Sequence, residues 1–313
     1  MGEPIRVLHI LQRMEAGGTQ ALLMNIYRKI DRTKVQFDFL VVYKEKQFYD
    51  DEIESMGGHV YKLSFREDLN LPKFQKDLKN LFKQHHEYQI VHCHAYTIGY
   101  FCLKAAKKAG IPVKIAHSHN NETVHDIKYL PKLFMQRLFT LNATDLFACS
   151  EEAGKYLFKD KPFRVLKNAI DSQQFIANEN TRREVRQELG LENKFVVGHV
   201  GRLHPQKNHD FLIDVFVFPS LFEGLGIVAI EAQAAGVPIV CSEGLPPETD
   251  ITPIYRKLML SDGTEKWAEV ALDMAKNPIV HTDMQKYVIN AGFDMSATAK
   301  NMEEYYLNRR SRR

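Results

Sequence analysis

The sequence predicts an α/β protein of two domains, each built on a parallel sheet with helices on both faces. Three observations lead there. Short apolar runs with period-two alternation take turns with amphipathic helical runs along most of the chain. Such alternation gives βαβ units, whose parallel strands must be covered on both sides. The 313 residues, 44% of them hydrophobic, also exceed the ~250 at which a single core stops growing.

Residues 5–11 read as a first strand, 12–18 as a loop, and 19–30 as a helix with Leu22, Leu23, Ile26 and Ile30 on one side. Strand patterns follow at 37–42, 59–63, 89–94, 113–117 and 145–149, and helical ones at 47–56, 71–85, 100–109 and 130–140. Around 164–175 a strand gives way to a polar stretch with Asn168, Asp171, Ser172 and Gln173, which serves as the connection between domains. Domain boundaries are thus expected at 1–166 and 167–294, both Rossmann-like and facing each other across a cleft, with residues 295–313 forming a helix that returns to pack on the first domain.

The second block reads as a strand at 195–201, a loop to Lys207, a helix at 208–216, a strand at 216–219, a helix at 227–235 and a strand at 238–242. Helices at 266–276 and 296–309 close it. One junction does not parse. The helical pattern through 210–216 meets Val217-Phe218-Pro219-Ser220, the end of a buried strand, with no connection between them. The second domain therefore reads as lacking a segment near Phe216 and Val217, on the order of two supersecondary units of roughly 30 residues each. An unusually compact domain is the alternative.

Composition narrows the function. Lys plus Arg number 42 against 39 Asp plus Glu, a net charge of +3 that argues against nucleic acid as the main partner. Four scattered cysteines, Cys93, Cys102, Cys149 and Cys241, form no C-x-x-C pair and suit a reducing, cytoplasmic setting. The first residues alternate like a strand and lack a signal-peptide cleavage site, and no run approaches the ~18 apolar residues of a membrane span. Lys104, Lys107, Lys108, Lys128, Lys132 and Arg137, with the tail 308–313, are basic. They read either as solvated faces or as a peripheral attachment to anionic headgroups on the inner face of the membrane, worth ~1 kcal/mol per basic residue.

The chemistry concentrates in four stretches. Phe222-Glu223-Gly224-Leu225-Gly226-Ile227 leads from an apolar strand into a helix that carries Glu231. Amides of the first turn, from Leu225 to Val228, can take a phosphate oxygen, and the glycines let a ligand approach the backbone. Either carboxylate can accept from vicinal hydroxyls, although a helix cap and a solvated glutamate explain the same spacing. Gly201-Arg202-Leu203-His204-Pro205-Gln206-Lys207 follows a strand, so Arg202 and Lys207 lie where open α/β sheets bind ligands, and two cations there suit a diphosphate. Gly17 and Gly18 sit between the first strand and the first helix, but not as G-x-G-x-x-G. His117-Ser118-His119-Asn120 ends a strand.

As a set, the paired glutamates eight apart and the Arg and Lys ahead of them resemble the retaining glycosyltransferases of family GT4, whose fold is called GT-B. The Phe218-to-Gly224 stretch and His117 to Asn120 are similar in texture to bacterial transferases of capsule and exopolysaccharide assembly. The resemblance implies a UDP-sugar donor and a glycan or lipid-linked acceptor. It implies that Glu231 holds the ribose, that Glu223 with Gly224 and the amides of Leu225, Gly226 and Ile227 holds the donor sugar, and that Arg202 and Lys207 neutralise the pyrophosphate without a metal or other cofactor. Gly17 and Gly18 would face the donor. His117 would touch its sugar, with His119 and Asn120 as further donor or acceptor contacts. Ala169 stands where relatives carry glycine.

Two rivals stay open. His92-Cys93-His94 and His117-Ser118-His119 are H-x-H pairs at strand ends, the spacing of a metal hydrolase site, though no carboxylate joins them. A shortened second domain also fits a catalytically silent binding subunit of a polysaccharide assembly.

Overall fold

The computed structural model describes residues 3–65, 67–120, 129–175, 179–188, 190, 215–276 and 284–310. The chain divides into two units, Met1–Leu166 with Ser296–Arg313, and Lys167–Met295.

In the first unit, β1 (Ile5–Ile10), β2 (Val35–Val41), β3 (Val60–Lys62), β4 (Ile90–Cys93), β5 (Val113–Ser118), β6 (Asp145–Ala148) and β7 (Arg164–Val165) make one parallel sheet. Their order is β3-β2-β1-β4-β5-β6-β7. Helices α1 (Gly18–Lys29), α2 (Asp50–Ser55), α3 (Leu71–Gln84), α4 (Tyr96–Lys108), α5 (Tyr129–Phe139) and α6 (Glu151–Phe158) connect the strands. Every residue of β2 and β5 is buried, the polar Gln36, Asp38, Lys114, His117 and Ser118 included, as strands covered on both faces require. The strand order reverses between β1 and β4, and ligands of open α/β sheets bind beyond the strand ends at such a point.

A buried ion pair ties the first three strands together. Asp38 of β2, fully enclosed, accepts from Arg6 Nε at 2.6 Å, the Tyr88 hydroxyl at 2.8 Å and the His59 amide at 2.8 Å. Burial pushes this carboxyl up, and the bonds from Arg6 and Tyr88 outweigh that and hold it below its ordinary value.

In the second unit, β8 (Phe216–Phe218), β9 (Ile239–Ser242) and β10 (Tyr255–Leu258) form a parallel sheet in the order β10-β9-β8. Its helices are α7 (Glu179–Glu188), α8 (Ile227–Ala234), α9 (Gly263–Lys276) and α10 (Met284–Asn290), while α11 (Met295–Arg310) leads back into the first unit. Period two sorts the core. Phe216, Phe218, Ile239, Cys241 and Tyr255 pack on Ala229 and Ala232 of α8 on one face, and Val215, Val217 and Val240 pack on Trp267 and Ala271 of α9 on the other.

The structure corrects the sequence reading in places. Phe216 pairs with Ile239 as a strand residue, so the helical pattern does not reach its expected end at 216; the strand at 195–201 and the rest of that helix lie outside the described residues. Four elements were not anticipated. α6 contains Gly154, which reads as a breaker, yet a Cβ there would lie 2.2 Å from the Phe163 ring, so the glycine is a packing requirement. β10 exposes Arg256 and Lys257 at the sheet edge, which erases its alternation and blunts the edge. α7 is strongly polar and α10 is only seven residues long.

Trp267 is the sole tryptophan, 1% exposed, and its Nε1 donates to the Met259 carbonyl at 2.9 Å. Trp267→Ala is expected to cost about 3 kcal/mol or more. Urea unfolding followed by circular dichroism should show a transition at lower denaturant that belongs to the second unit.

Candidate functional site

Five histidines meet at the switch point of the first unit. His9 on β1 stands in register with His92 on β4, and period two carries His94, His117 and His119 onto the same sheet face. Their rings stack, with centroids 4.3 Å apart for His92 and His94 and 4.1 Å for His117 and His119. They form two hydrogen-bonded files. In one, His9 Nδ1 meets His94 Nε2 at 3.2 Å, and His94 Nδ1 meets His119 Nε2 at 2.8 Å. In the other, the Tyr306 hydroxyl of α11 meets His92 Nδ1 at 2.8 Å, and His92 Nε2 meets His117 Nδ1 at 3.0 Å.

Burial governs their charge. It pushes His9 down to about 3 against a weaker pull from Asp38, lowers His119, and holds His92, His94 and His117 well below the ordinary imidazole range, where neighbouring histidines lower them further. All five are therefore neutral at pH 7. Three buried nitrogens have no hydrogen-bond partner among the described residues: His9 Nε2, His117 Nε2 and His119 Nδ1.

Two triads, His9/His92/His94 and His94/His117/His119, hold ring nitrogens within 4.8 Å of one another. Neutral imidazoles at that spacing have the donor chemistry of a transition-metal site. Both His94 nitrogens are already paired, however, so a metal would have to break a histidine–histidine bond to gather three ligands.

Gly17 and Gly18 open α1 a few residues beyond β1. Gly17 is the N-cap and offers no side-chain bond to the helix. A Cβ on it would lie 2.7 Å from Gln20 Oε1, while Gln20 Nε2 donates to the Arg13 carbonyl at 2.8 Å and closes the loop. The first-turn amides are left without intrahelical partners, a setting for an anion. Asn120 is exposed just beyond β5.

In the second unit the loop between β8 and α8 is built around two glycines. Gly226, the N-cap of α8, has φ +80° in the left-handed region, which a residue with a Cβ rarely adopts. Gly244 lies under the loop, where a Cβ would be 2.3 Å from the Leu221 carbonyl oxygen, and its own carbonyl accepts from the Glu223 amide at 3.0 Å. Glu223 is 8% exposed and its Oε1 accepts from Ser220 Oγ at 2.8 Å, so part of this carboxylate fastens the loop. Gly224 and Leu225 are buried beside it, and Ile227 begins the helix.

Glu231 differs. It is half-buried on α8, its carboxylate has no hydrogen bond or ion pair among the described residues, and burial raises it above its ordinary value. A carboxylate one turn into a helix can accept from hydroxyl groups, and the first-turn amides of a helix can take a phosphate oxygen.

Arg202 and Lys207 lie outside the described residues. The sequence reading missed His9 and Tyr306 as members of the histidine cluster, and Ser220 and Gly244 as supports of the loop. Only the register of β1 with β4, which sets His9 opposite His92, brings His9 into the cluster, and nothing local marks Tyr306. The basic tail also differs from a solvated run: Arg309 pairs with Asp145 and lies over the Tyr305 ring. No described helix is long and apolar enough to cross a membrane.

Comparison with known proteins identifies the kin of this arrangement. The model of Glycosyltransferase Family 4 matches residues 16–174, and that of Glycosyl transferases group 1 matches residues 213–292. The glycosyltransferase EpsF of Bacillus subtilis (strain 168) is 32% identical over 331 residues, covering 84% of this chain and 86% of EpsF. That alignment is longer than the 313 residues of the chain, so this chain carries gaps against EpsF. An Escherichia coli UDP-Gal:alpha-D-GlcNAc-diphosphoundecaprenol alpha-1,3-galactosyltransferase is 24% identical over 308 residues, covering 76% of this chain and 79% of its own. The crystal structure of Anabaena Alr3699/HepE in complex with UDP superimposes with a TM-score of 0.77 at 15% identity, over 97% of this chain and all of that one. The fold class is thus that of the GT-B glycosyltransferases.

The histidine cluster sets a pH limit. Below the ordinary histidine value of 6.5 the unfolded chain takes up protons that the folded cluster refuses until far lower, near 3 for His9. Stability is therefore complete above pH 6.5 and falls as pH drops below it, by up to about 1.4 kcal/mol per pH unit for each histidine. Melting temperatures from pH 7.5 to 5 should fall steeply, and His9→Phe should lessen the slope. A flat profile in the wild type contradicts the neutral cluster.

Proposed function

Because the chain belongs to glycosyltransferase family 4, we propose that it moves a sugar from a UDP-sugar, with retention of anomeric configuration, to a glycan or lipid-linked acceptor in polysaccharide biosynthesis. The observation that carries this reading is Glu231, a carboxylate raised by burial on α8 and without a hydrogen bond or ion pair among the described residues, behind the left-handed Gly226. It accepts from the vicinal hydroxyls of a ribose, while the first-turn amides of α8 take the diphosphate. The names of the relatives point the same way, since the Escherichia coli relative uses UDP-galactose on a diphosphoundecaprenol acceptor and HepE was crystallised with UDP.

In the proposed reaction the acceptor hydroxyl approaches the sugar from the face that the nucleotide leaves. The bond from the anomeric carbon to the β-phosphate oxygen breaks, a bond to the acceptor oxygen forms, and the acceptor proton passes to a phosphate oxygen of departing UDP. Arg202 and Lys207 neutralise the charge that grows on the diphosphate, so no metal or other cofactor is required. Glu223, Gly224, Leu225 and Ile227 bound the sugar, and Gly17 and Gly18 add amides toward the donor. His117 donates from Nε2 to a sugar oxygen, with His119 and Asn120 as further contacts. The protein works in the cytoplasm, where Lys104, Lys107 and Arg137 bring it to an anionic membrane face.

The gaps against EpsF favour a second reading, a silent binding subunit that keeps the fold without turnover. Release of UDP from a panel of UDP-sugars, with undecaprenyl-diphosphate-linked acceptors and excess EDTA, separates the two. The active reading expects turnover that EDTA does not abolish and a product whose anomeric proton coupling matches the donor. Absence of turnover across the panel supports the silent subunit, and an inverted product or an EDTA-sensitive rate overturns the mechanism.

A further inference from the structure

Tyr306 lies far from His117 in sequence but reaches it through a single ring. The phenol is 1% exposed and packs edge-on against Phe37 and His92. Burial raises its ionisation well above the ordinary value, so it keeps its proton. Its hydroxyl has one partner among the described residues, His92 Nδ1 at 2.8 Å. A buried hydroxyl proton left without an acceptor costs about 1–3 kcal/mol, which selects the arrangement in which Tyr306 donates to His92.

The remainder follows from counting protons. Neutral imidazole carries one N–H. If His92 Nδ1 accepts, its proton sits on Nε2 and points to His117 Nδ1 at 3.0 Å. His117 Nδ1 then accepts, so the single proton of His117 sits on Nε2, a buried nitrogen with no partner among the described residues. The opposite order would place a proton between His92 and Tyr306 and leave the phenol proton without an acceptor.

We infer that Tyr306 is a positioning residue: through His92 it fixes His117 in the Nε2–H form, so that His117 presents a hydrogen-bond donor, rather than an acceptor, to a substrate oxygen. The inference rests on the proposed contact of His117 with the donor sugar for its functional meaning, but the relay itself is a property of the free protein. It also gives the C-terminal helix a role in the site beyond packing. The second file has no such anchor among the described residues, where neither the His9 nor the His119 ring meets a group of fixed donor sense.

The test is long-range nitrogen–proton NMR of the histidine rings in the full-length, ligand-free protein at pH 7.5, with His117 assigned from the signals lost in His117→Gln. The expected result is a single Nε2–H form at His117 in the wild type, and the appearance of the Nδ1–H form in Tyr306→Phe, which keeps the ring and removes only the hydroxyl. An Nδ1–H form in the wild type overturns the relay even if the variant fails to fold, and so does an unchanged Nε2–H form in a folded Tyr306→Phe. Turnover by His117→Ala is scored separately: if it matches the wild type, the sugar-contact reading fails whatever the NMR shows.

Discussion

The first unit depends on keeping five packed imidazoles uncharged. The sheet order brings β1, β4 and β5 side by side, and the side-chain period of two then places their histidines on one face with no carboxylate among them. Protonation of any one would place a cation against four others, so the cluster holds only while burial denies it protons. α11 supplies part of that cover, with Tyr306 over His9 and His92. Asp38, one strand away, stays bound to Arg6 and Tyr88, so the nearest buried carboxylate is already neutralised.

The second unit works by an opposite principle. Its small sheet gives a firm core on both faces, while α8 carries Glu231, a half-buried carboxylate with no hydrogen bond or ion pair among the described residues. Glycines make the loop after β8 possible: Gly226 turns the chain into α8 and Gly244 lets two backbone segments meet. Glu223 is committed in part to Ser220 and fastens the loop, whereas Glu231 has no hydrogen bond or ion pair among the described residues.

Much of this was legible in the sequence. Helices with a clear apolar side, such as α1 and α3, stood out because their burial is one-sided. α6 and β10 did not, because Gly154 and the pair Arg256 and Lys257 serve tertiary needs that local pattern does not encode. The site followed the same divide. His117 and Glu231 sit in recognisable local stretches, whereas the link from Tyr306 to His92 joins residues more than two hundred positions apart, and only the fold brings them together.

The central claim is that Glu231 on α8 receives the nucleotide of a UDP-sugar. Calorimetric titration of UDP into the wild type and into Glu231→Ala, both in EDTA, tests it most directly. The account predicts saturable binding of UDP by the wild type and a loss of about tenfold or more in Glu231→Ala, as expected for removing a charged acceptor from bound hydroxyls. Equal affinity in the two proteins would contradict it.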